Sequence, residues 1–179
     1  MLNFKDKIWV TTNEQLQKYL HKCKGCWNVT LQGKLIIPYD EIQSFQFRTK
    51  KYTMVLNTKS KHSLDKELAH WICLHLDLIT KQAFLFDSLN TIETTHPHVV
   101  LYLSKFCDSM NIKFHVFKLK TQQPNHLTCG FHALWMVHKT HKLNFSGILQ
   151  LRTVFLPYSM YKREKFIIKT VLHDFSIDI

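Results

Sequence analysis

In the run Gln122-Gln123-Pro124-Asn125-His126-Leu127-Thr128-Cys129-Gly130-Phe131-His132-Ala133-Leu134-Trp135-Met136-Val137, polar residues and a proline give way abruptly to Cys-Gly and then to a strongly apolar segment. Pro124 and Asn125 mark a turn. From Cys129 onward, Phe131, Leu134, Trp135 and His138 recur at helical spacing, while Ala133, Met136 and Val137 fill a second face. A helix apolar on most sides is a buried one. Cys129 then falls in the first turn, where free N–H groups and the positive end of the helix dipole most readily activate a nucleophilic cysteine. Thr128 precedes it as the expected N-cap, its hydroxyl accepting from an N–H of that turn. Taken alone, a cysteine is more often a small buried hydrophobe, so any chemistry has to be supported by the rest of the chain.

The chain has 179 residues with four Gly and four Pro, and it shows no linker, repeat or low-complexity tract. Residues 1–179 are therefore expected to form a single domain with its own core, and a monomer. Residues 1–7 lack an apolar segment of signal-peptide length, and no run is long enough to span a bilayer, so an intracellular protein without membrane segments is expected. Five cysteines, Cys23, Cys26, Cys73, Cys107 and Cys129, are an odd number, which argues for reduced thiols over a disulfide framework. A formal charge of +11 points either to a polyanionic partner, non-specific DNA first, or to solubility alone. The lysines are scattered and form no motif of a known nucleic-acid module.

Residues 11–20 predict a short capped helix, with Thr11 and Glu14 at capping-box spacing and Leu16, Tyr19 and Leu20 as its stripe. The segment 23–38 mixes aromatic and β-branched residues around Gly25 and Gly33, as a loop and short extended piece would. Residues 54–57 predict a strand. The segments 70–78 and 82–88, joined by a short turn containing Thr80 and Lys81, predict a central antiparallel hairpin because both faces are nearly apolar. Residues 99–110 predict a helix, 112–119 a half-buried alternating strand, and 146–173 one or two helices interrupted near Pro157. This order is mixed α+β: a small, mostly antiparallel sheet packed against a buried central helix that begins at Cys129.

A cysteine nucleophile needs an imidazole to take its proton, a third group to orient that ring, and donors for the oxyanion. His70 opens the first strand of the hairpin and Asp87 closes the second, so the hairpin can bring them together. Gln122 and Gln123 lie just ahead of Cys129, where a side-chain amide could share the oxyanion with the Cys129 N–H. Taken in order, His70-Trp71, Leu85-Phe86-Asp87-Ser88 and Gln123-Pro124-Asn125 before Cys129-Gly130 resemble the adenain clan. That clan holds the adenovirus-type maturation proteases, their relatives in large DNA viruses, and the Ulp/SENP proteases of ubiquitin-like modifiers. The pattern covers residues 68–137. A weaker similarity to adenain covers Glu14-Gln15-Leu16 with Leu20, then Cys26-Trp27 and Leu31-Gln32-Gly33.

The resemblance implies a papain-like, adenain-like cysteine-protease fold with Cys129 as nucleophile, His70 as general base and acid, and Asp87 as the orienting carboxylate. It puts the oxyanion glutamine at Gln122 by adenain-like spacing or at Gln123 by Ulp-like spacing, and Trp71 beside the catalytic imidazole. It implies cleavage of structural precursor proteins during virion maturation, in the nucleus or cytoplasm of a host cell and in the particle, with no metal or other cofactor. An isopeptidase for ubiquitin-like modifiers and a catalytically inactive DNA-binding protein are the other readings. The family's activating peptide would be a further partner. Adenain captures it through a disulfide, and the corresponding segment 111–121 has no cysteine, so that capture is not expected here.

His75 differs from His70 in strand parity and is expected on the other face, together with Asp77. Cys23-x-x-Cys26 with Cys129-x-x-His132 gives a Cys3His set by count, but about a hundred residues separate the pairs, far more than compact zinc modules allow. His132, His138 and His141 do not share a helix face. Cys107 reads as a buried helix residue.

Overall fold

The structure, a computed structural model, describes residues 13–22, 36–47, 50–62, 69–175 and 177. The expectations for Thr11, for Cys23, Cys26, Gly25 and Gly33, and for the adenain-like segment from Cys26 to Gly33 lie outside the described residues. Five strands form one sheet in the order β1 (Ile36–Pro38), β2 (Lys51–Asn57), β3 (Trp71–Asp77), β4 (Gln82–Phe86), β5 (Lys113–Phe117). The centre is antiparallel, as expected from the hairpin: β2 pairs with β3, and β3 with β4 in the register Cys73↔Phe86 and Leu74↔Leu85. The flanking pairs, β1 with β2 and β4 with β5, are parallel. A parallel neighbour needs a crossover, and between β4 and β5 it is made by α2 (Ile92–Thr95) and α3 (Pro97–Ser109).

Every residue of β3 is buried, because the sheet carries a core on each face. On one side Trp71 and Cys73 with Phe84 and Phe86 pack against α4 (Cys129–Lys142), α5 (Phe145–Phe155), α6 (Met160–Asp174) and Leu16 and Leu20 of α1 (Asn13–Lys22). On the other, Ile72, Leu74 and Leu76 with Ala83 and Leu85 pack against Val99, Leu103, Phe106 and Cys107 of α3. This two-sided burial is what made the hairpin read as nearly uniformly apolar. Helix α4 is the centre of the first core. Its residues Gly130 to Val137 are all buried, and Trp135, fully buried, meets Phe86 and Phe155 with ring centroids 6.2 and 5.3 Å away. The helices α5 and α6 confirm the break read at Pro157. Among the described residues, no helix is long and apolar enough to cross a membrane.

A polar chain crosses this apolar layer at the far end of α4. Thr53 Oγ1 on β2 lies 2.8 Å from His75 Nδ1 on β3 and 2.8 Å from Thr140 Oγ1 on α4. His75 therefore does lie on the sheet face that α4 covers, with Thr140 as its neighbour and not Cys129. Eleven residues of helix separate the two, roughly 16 Å at 1.5 Å per residue. That distance is what removes His75 from any chemistry at Cys129. Asp77 is likewise occupied: it accepts from the N–H groups of Ile79 and Thr80 and pairs with Lys51 at 3.2 Å, closing the β3–β4 turn.

Burial holds the His75 imidazole down to about 4, with Lys51 and His141 acting in the same direction and Asp77 against it. A histidine whose folded value lies below its unfolded value of 6.5 contributes stability that is present above pH 6.5 and lost as pH falls toward 4. We expect His75→Gln, which cannot titrate, to lose less stability than the wild type across that interval, by up to about 3 kcal/mol, read from urea midpoints at each pH.

Candidate active site

Three elements meet at the other end of α4. The β2–β3 ladder runs one step past the strands: His70 donates its N–H to Thr58 Oγ1 at 3.3 Å and accepts from the Thr58 N–H at 3.1 Å. That fixes the backbone of His70 just ahead of β3. Continuing the β3–β4 register places Asp87 opposite Ile72, two residues from His70 on the same sheet face. Such diagonal neighbours are within side-chain reach, and His70 Nε2 lies 2.6 Å from Asp87 Oδ1. The ring's other polar neighbour is the Cys129 thiol, whose interaction with it raises the imidazole, and with Nε2 on the carboxylate, Nδ1 is the nitrogen left for the sulfur. Cys129 heads α4, half-buried, in a turn whose first N–H groups have no intrahelical acceptor.

Asp87 is 1% exposed and its turn is built to hold the charge. Its Oδ1 also accepts from the Leu89 N–H at 2.9 Å, and its Oδ2 accepts from the N–H groups of Thr91 at 2.7 Å and Ile92 at 2.9 Å. Asn90, inside this turn, has φ 57°, a left-handed backbone that Asn tolerates well. Burial alone would raise the Asp87 carboxyl. The hydrogen bond and charge of His70, with the N–H groups of Thr91 and Leu89, outweigh it and hold the group below its ordinary value. For His70, burial alone would lower the imidazole, but the bonds to Asp87 and Cys129 overcome it and push the ring up to about 9. His96, at the start of α3, lies over this ring with centroids 6.4 Å apart and planes 23° from parallel. Burial, then the charge of His70, hold His96 below the usual imidazole value.

The two glutamines differ. Gln122 is 2% exposed and committed at both ends of its amide: Oε1 accepts from Ser88 Oγ at 2.6 Å and Nε2 donates to the His126 carbonyl. Gln123 is half-buried, and its Nε2 donates to Glu164 Oε2 at 3.1 Å. Trp71, 5% exposed, belongs to the core cluster that Cys129 borders. The Thr128 expectation is corrected. Thr128 does stand at the N-cap position of α4, but its hydroxyl accepts no N–H there and donates to Glu164 Oε1 at 2.6 Å. An acid on α6 captured the hydroxyl that the sequence assigned to the helix. His132 is bound to Thr121, Nδ1 to Oγ1 at 2.8 Å. Among the described residues no group of His, Cys, Asp and Glu side chains is arranged to hold a metal ion. The described thiols also separate: Cys73 and Cys107 are buried, Cys129 half-buried. Burial pushes the Cys73 thiol far up and, with Asp108, the Cys107 thiol up to about 12.

Glu164, Ser88 and His96 were missed by the sequence reading. Nothing in the segment 160–166 distinguishes Glu164 from a solvated acid among lysines and arginine. Ser88 had a signal, since it stands inside the quoted Leu85-Phe86-Asp87-Ser88 run.

No protein-family model matches the chain, and no curated protein matches it in sequence. Its fold is similar to that of the Chlamydia trachomatis effector protein Cdu1 bound to ubiquitin, at TM-score 0.53 and 13% identity, over 98% of this chain and 83% of that one. It is also similar to an ASFV protease, at TM-score 0.54 and 13% identity, over 93% of this chain and 69% of that one. These likenesses concern the fold alone: the mixed α+β arrangement, a small sheet packed against a buried central helix, that the sequence led us to expect.

The His70–Asp87 pair has a pH signature. His70, ordinarily near 6.5 and about 9 when folded, contributes stability that is complete below pH 6.5 and lost as pH rises through 9. Asp87, held low, contributes stability present above the ordinary carboxylate range and lost as pH falls through its folded value. His70→Ala should therefore flatten the decline in denaturant midpoint between pH 6.5 and 9. An unchanged decline would show that another group titrates there.

Proposed function

We propose that this chain is a cysteine peptidase. The observation that supports it most directly is one imidazole, His70, joined at 2.6 Å to a buried carboxylate and raised further by the thiol at the head of a buried helix. In this reading the raised His70 imidazole already holds the proton given up by Cys129, and the sulfur attacks the scissile carbonyl carbon as the thiolate. The electron pair of the carbonyl moves onto oxygen, where the Cys129 N–H and a glutamine amide receive it. Protonated His70 then gives its proton to the leaving amine, and water, deprotonated by the same ring, releases the acyl group. Asp87 keeps the ring in the orientation that presents Nδ1 to sulfur. Gln123 is the better candidate for the oxyanion. Gln122 is buried and held at both the oxygen and the nitrogen of its amide, whereas Gln123 is half-buried and held at the nitrogen, by Glu164.

For the substrate, we propose protein precursors cut in an assembling viral particle. The formal charge of +11 supports DNA as a surface along which a basic enzyme reaches bound substrates. A second reading, a peptidase for ubiquitin-like modifiers, is supported by the similarity of fold to Cdu1, the structure of which holds ubiquitin.

Digestion of a peptide library, read by mass spectrometry, tests the chemistry. Cys129→Ala should lower the cleavage rate roughly a thousandfold or more, and DNA added at low salt should accelerate the wild type. Rapid labelling of Cys129 by a Gly-Gly-ended modifier probe would move the substrate to the second reading. A Cys129 no more reactive to iodoacetamide than Cys73 and Cys107, with salt-sensitive DNA binding, would replace the peptidase by a DNA-binding protein.

A further inference from the structure

The residues around α6 are basic: Lys162, Arg163 and Lys165 surround Glu164 in sequence. Yet Glu164 alone is turned inward, 3% exposed. A buried carboxylate is retained only where donors satisfy it. Here they come from one short loop. Oε2 accepts from Gln123 Nε2 at 3.1 Å and from His126 Nδ1 at 2.7 Å, and Oε1 accepts from Thr128 Oγ1 at 2.6 Å. His132 Nε2 faces the same carboxylate from inside α4, 3.8 Å from Oε1. The loop is thus gripped at its start, its middle and the residue before Cys129 by a single side chain from another helix. Arg163, the residue before it on α6, adds a bond to the Lys120 carbonyl at 2.9 Å. Burial would push the Glu164 carboxyl up. His132 beside it and the bonds from Thr128 and Gln123 hold it down to about 2, so it is an acceptor at every working pH.

We propose that Glu164 is the positioning residue for the oxyanion side of this site: its carboxylate fixes the amide of Gln123. The inference rests on the peptidase reading above. Its chemistry is that of a preorganised donor. The amide of an unrestrained glutamine samples several rotamers, and a donor contributes to a developing oxyanion only if it is already aimed. One N–H of Gln123 bound to Glu164 directs the other. An ionised carboxylate suits this role because it only accepts. Glu164→Gln would keep one acceptor oxygen and put an amino group with two N–H donors in place of the other, and so would lose an acceptor that Gln123, His126 and Thr128 share.

The test is a double-mutant cycle on peptide cleavage, comparing wild type, Glu164→Gln, Gln123→Ala and the double variant, with Glu164→Asp as the conservative replacement. Glu164→Gln should lower kcat roughly ten- to a hundredfold, leaving KM and the iodoacetamide rate of Cys129 unchanged. Glu164→Asp, which keeps both acceptor oxygens, should recover part of the loss. In the Gln123→Ala background, Glu164→Gln should change kcat no further. If Glu164→Gln fails to fold, Glu164→Asp run through the same two backgrounds gives the same comparison. An undiminished kcat in Glu164→Gln overturns the inference and leaves the peptidase reading standing. So does an equal loss in both backgrounds accompanied by a lower Tm, which would make Glu164 a structural clasp only. A wild type that neither cleaves nor alkylates at Cys129 removes the peptidase reading, and this inference with it.

Discussion

Asp87 closes β4 with a carboxylate whose two oxygens each take two donors: His70 Nε2 and the Leu89 N–H on one, the N–H groups of Thr91 and Ile92 on the other. Three of the four are backbone groups of the chain just beyond the strand, so the acid folds its own turn and starts α2. The fourth donor is the imidazole. A charge buried this deeply is tolerable only when fully paired, and its pairing leaves the ring one orientation. The direction in which Nδ1 of His70 points is therefore a by-product of satisfying Asp87, and α4 brings its first turn to that nitrogen.

Sheet and helix divide the work. The antiparallel centre, β2 to β4, sets the distance between His70 and Asp87 by register alone. The two apolar layers then press α4 on the sheet from one side and α3 from the other. At one end of α4 the contact with the sheet is the His70–Cys129 pair. At the other it is the neutral chain of Thr53, His75 and Thr140. Two histidines five residues apart in sequence thus meet the same helix in opposite electrostatic circumstances: burial beside hydroxyls empties His75 of its proton, and a carboxylate fills His70.

Much of this was readable in the chain. The hairpin was legible because burial on both faces wrote continuous apolar runs, and α4 was legible because few surface helices carry Phe131, Leu134, Trp135, Met136 and Val137 together. His70, Asp87 and Cys129 could be named since each stands at the end of an element, where side chains from different elements can meet. What depended on the third dimension was hidden. The parallel flanking of the sheet by β1 and β5 has no local signature, because a short alternating segment such as 112–119 reads the same in either direction. The Thr128 hydroxyl could cap its own helix or donate elsewhere, and only the arrival of α6 decides. Glu164 is set in a run of lysines and arginine that reads as a solvated face. Strand parity separated His75 from His70 correctly, but the reason His75 is irrelevant to the sulfur is its position along α4, which parity does not carry.

The order of the site along the chain has a bearing on how the protein is made. The imidazole at position 70 and the acid at 87 come first, the sulfur follows at 129, and the acid that grips its loop stands at 164, close to the end of the sequence. During synthesis the hairpin can leave the ribosome and pair while the helix that bears the sulfur is still being translated, and the last clasp arrives only with α6. In the peptidase reading, a nascent chain therefore carries the imidazole and its acid before it carries the sulfur they would serve.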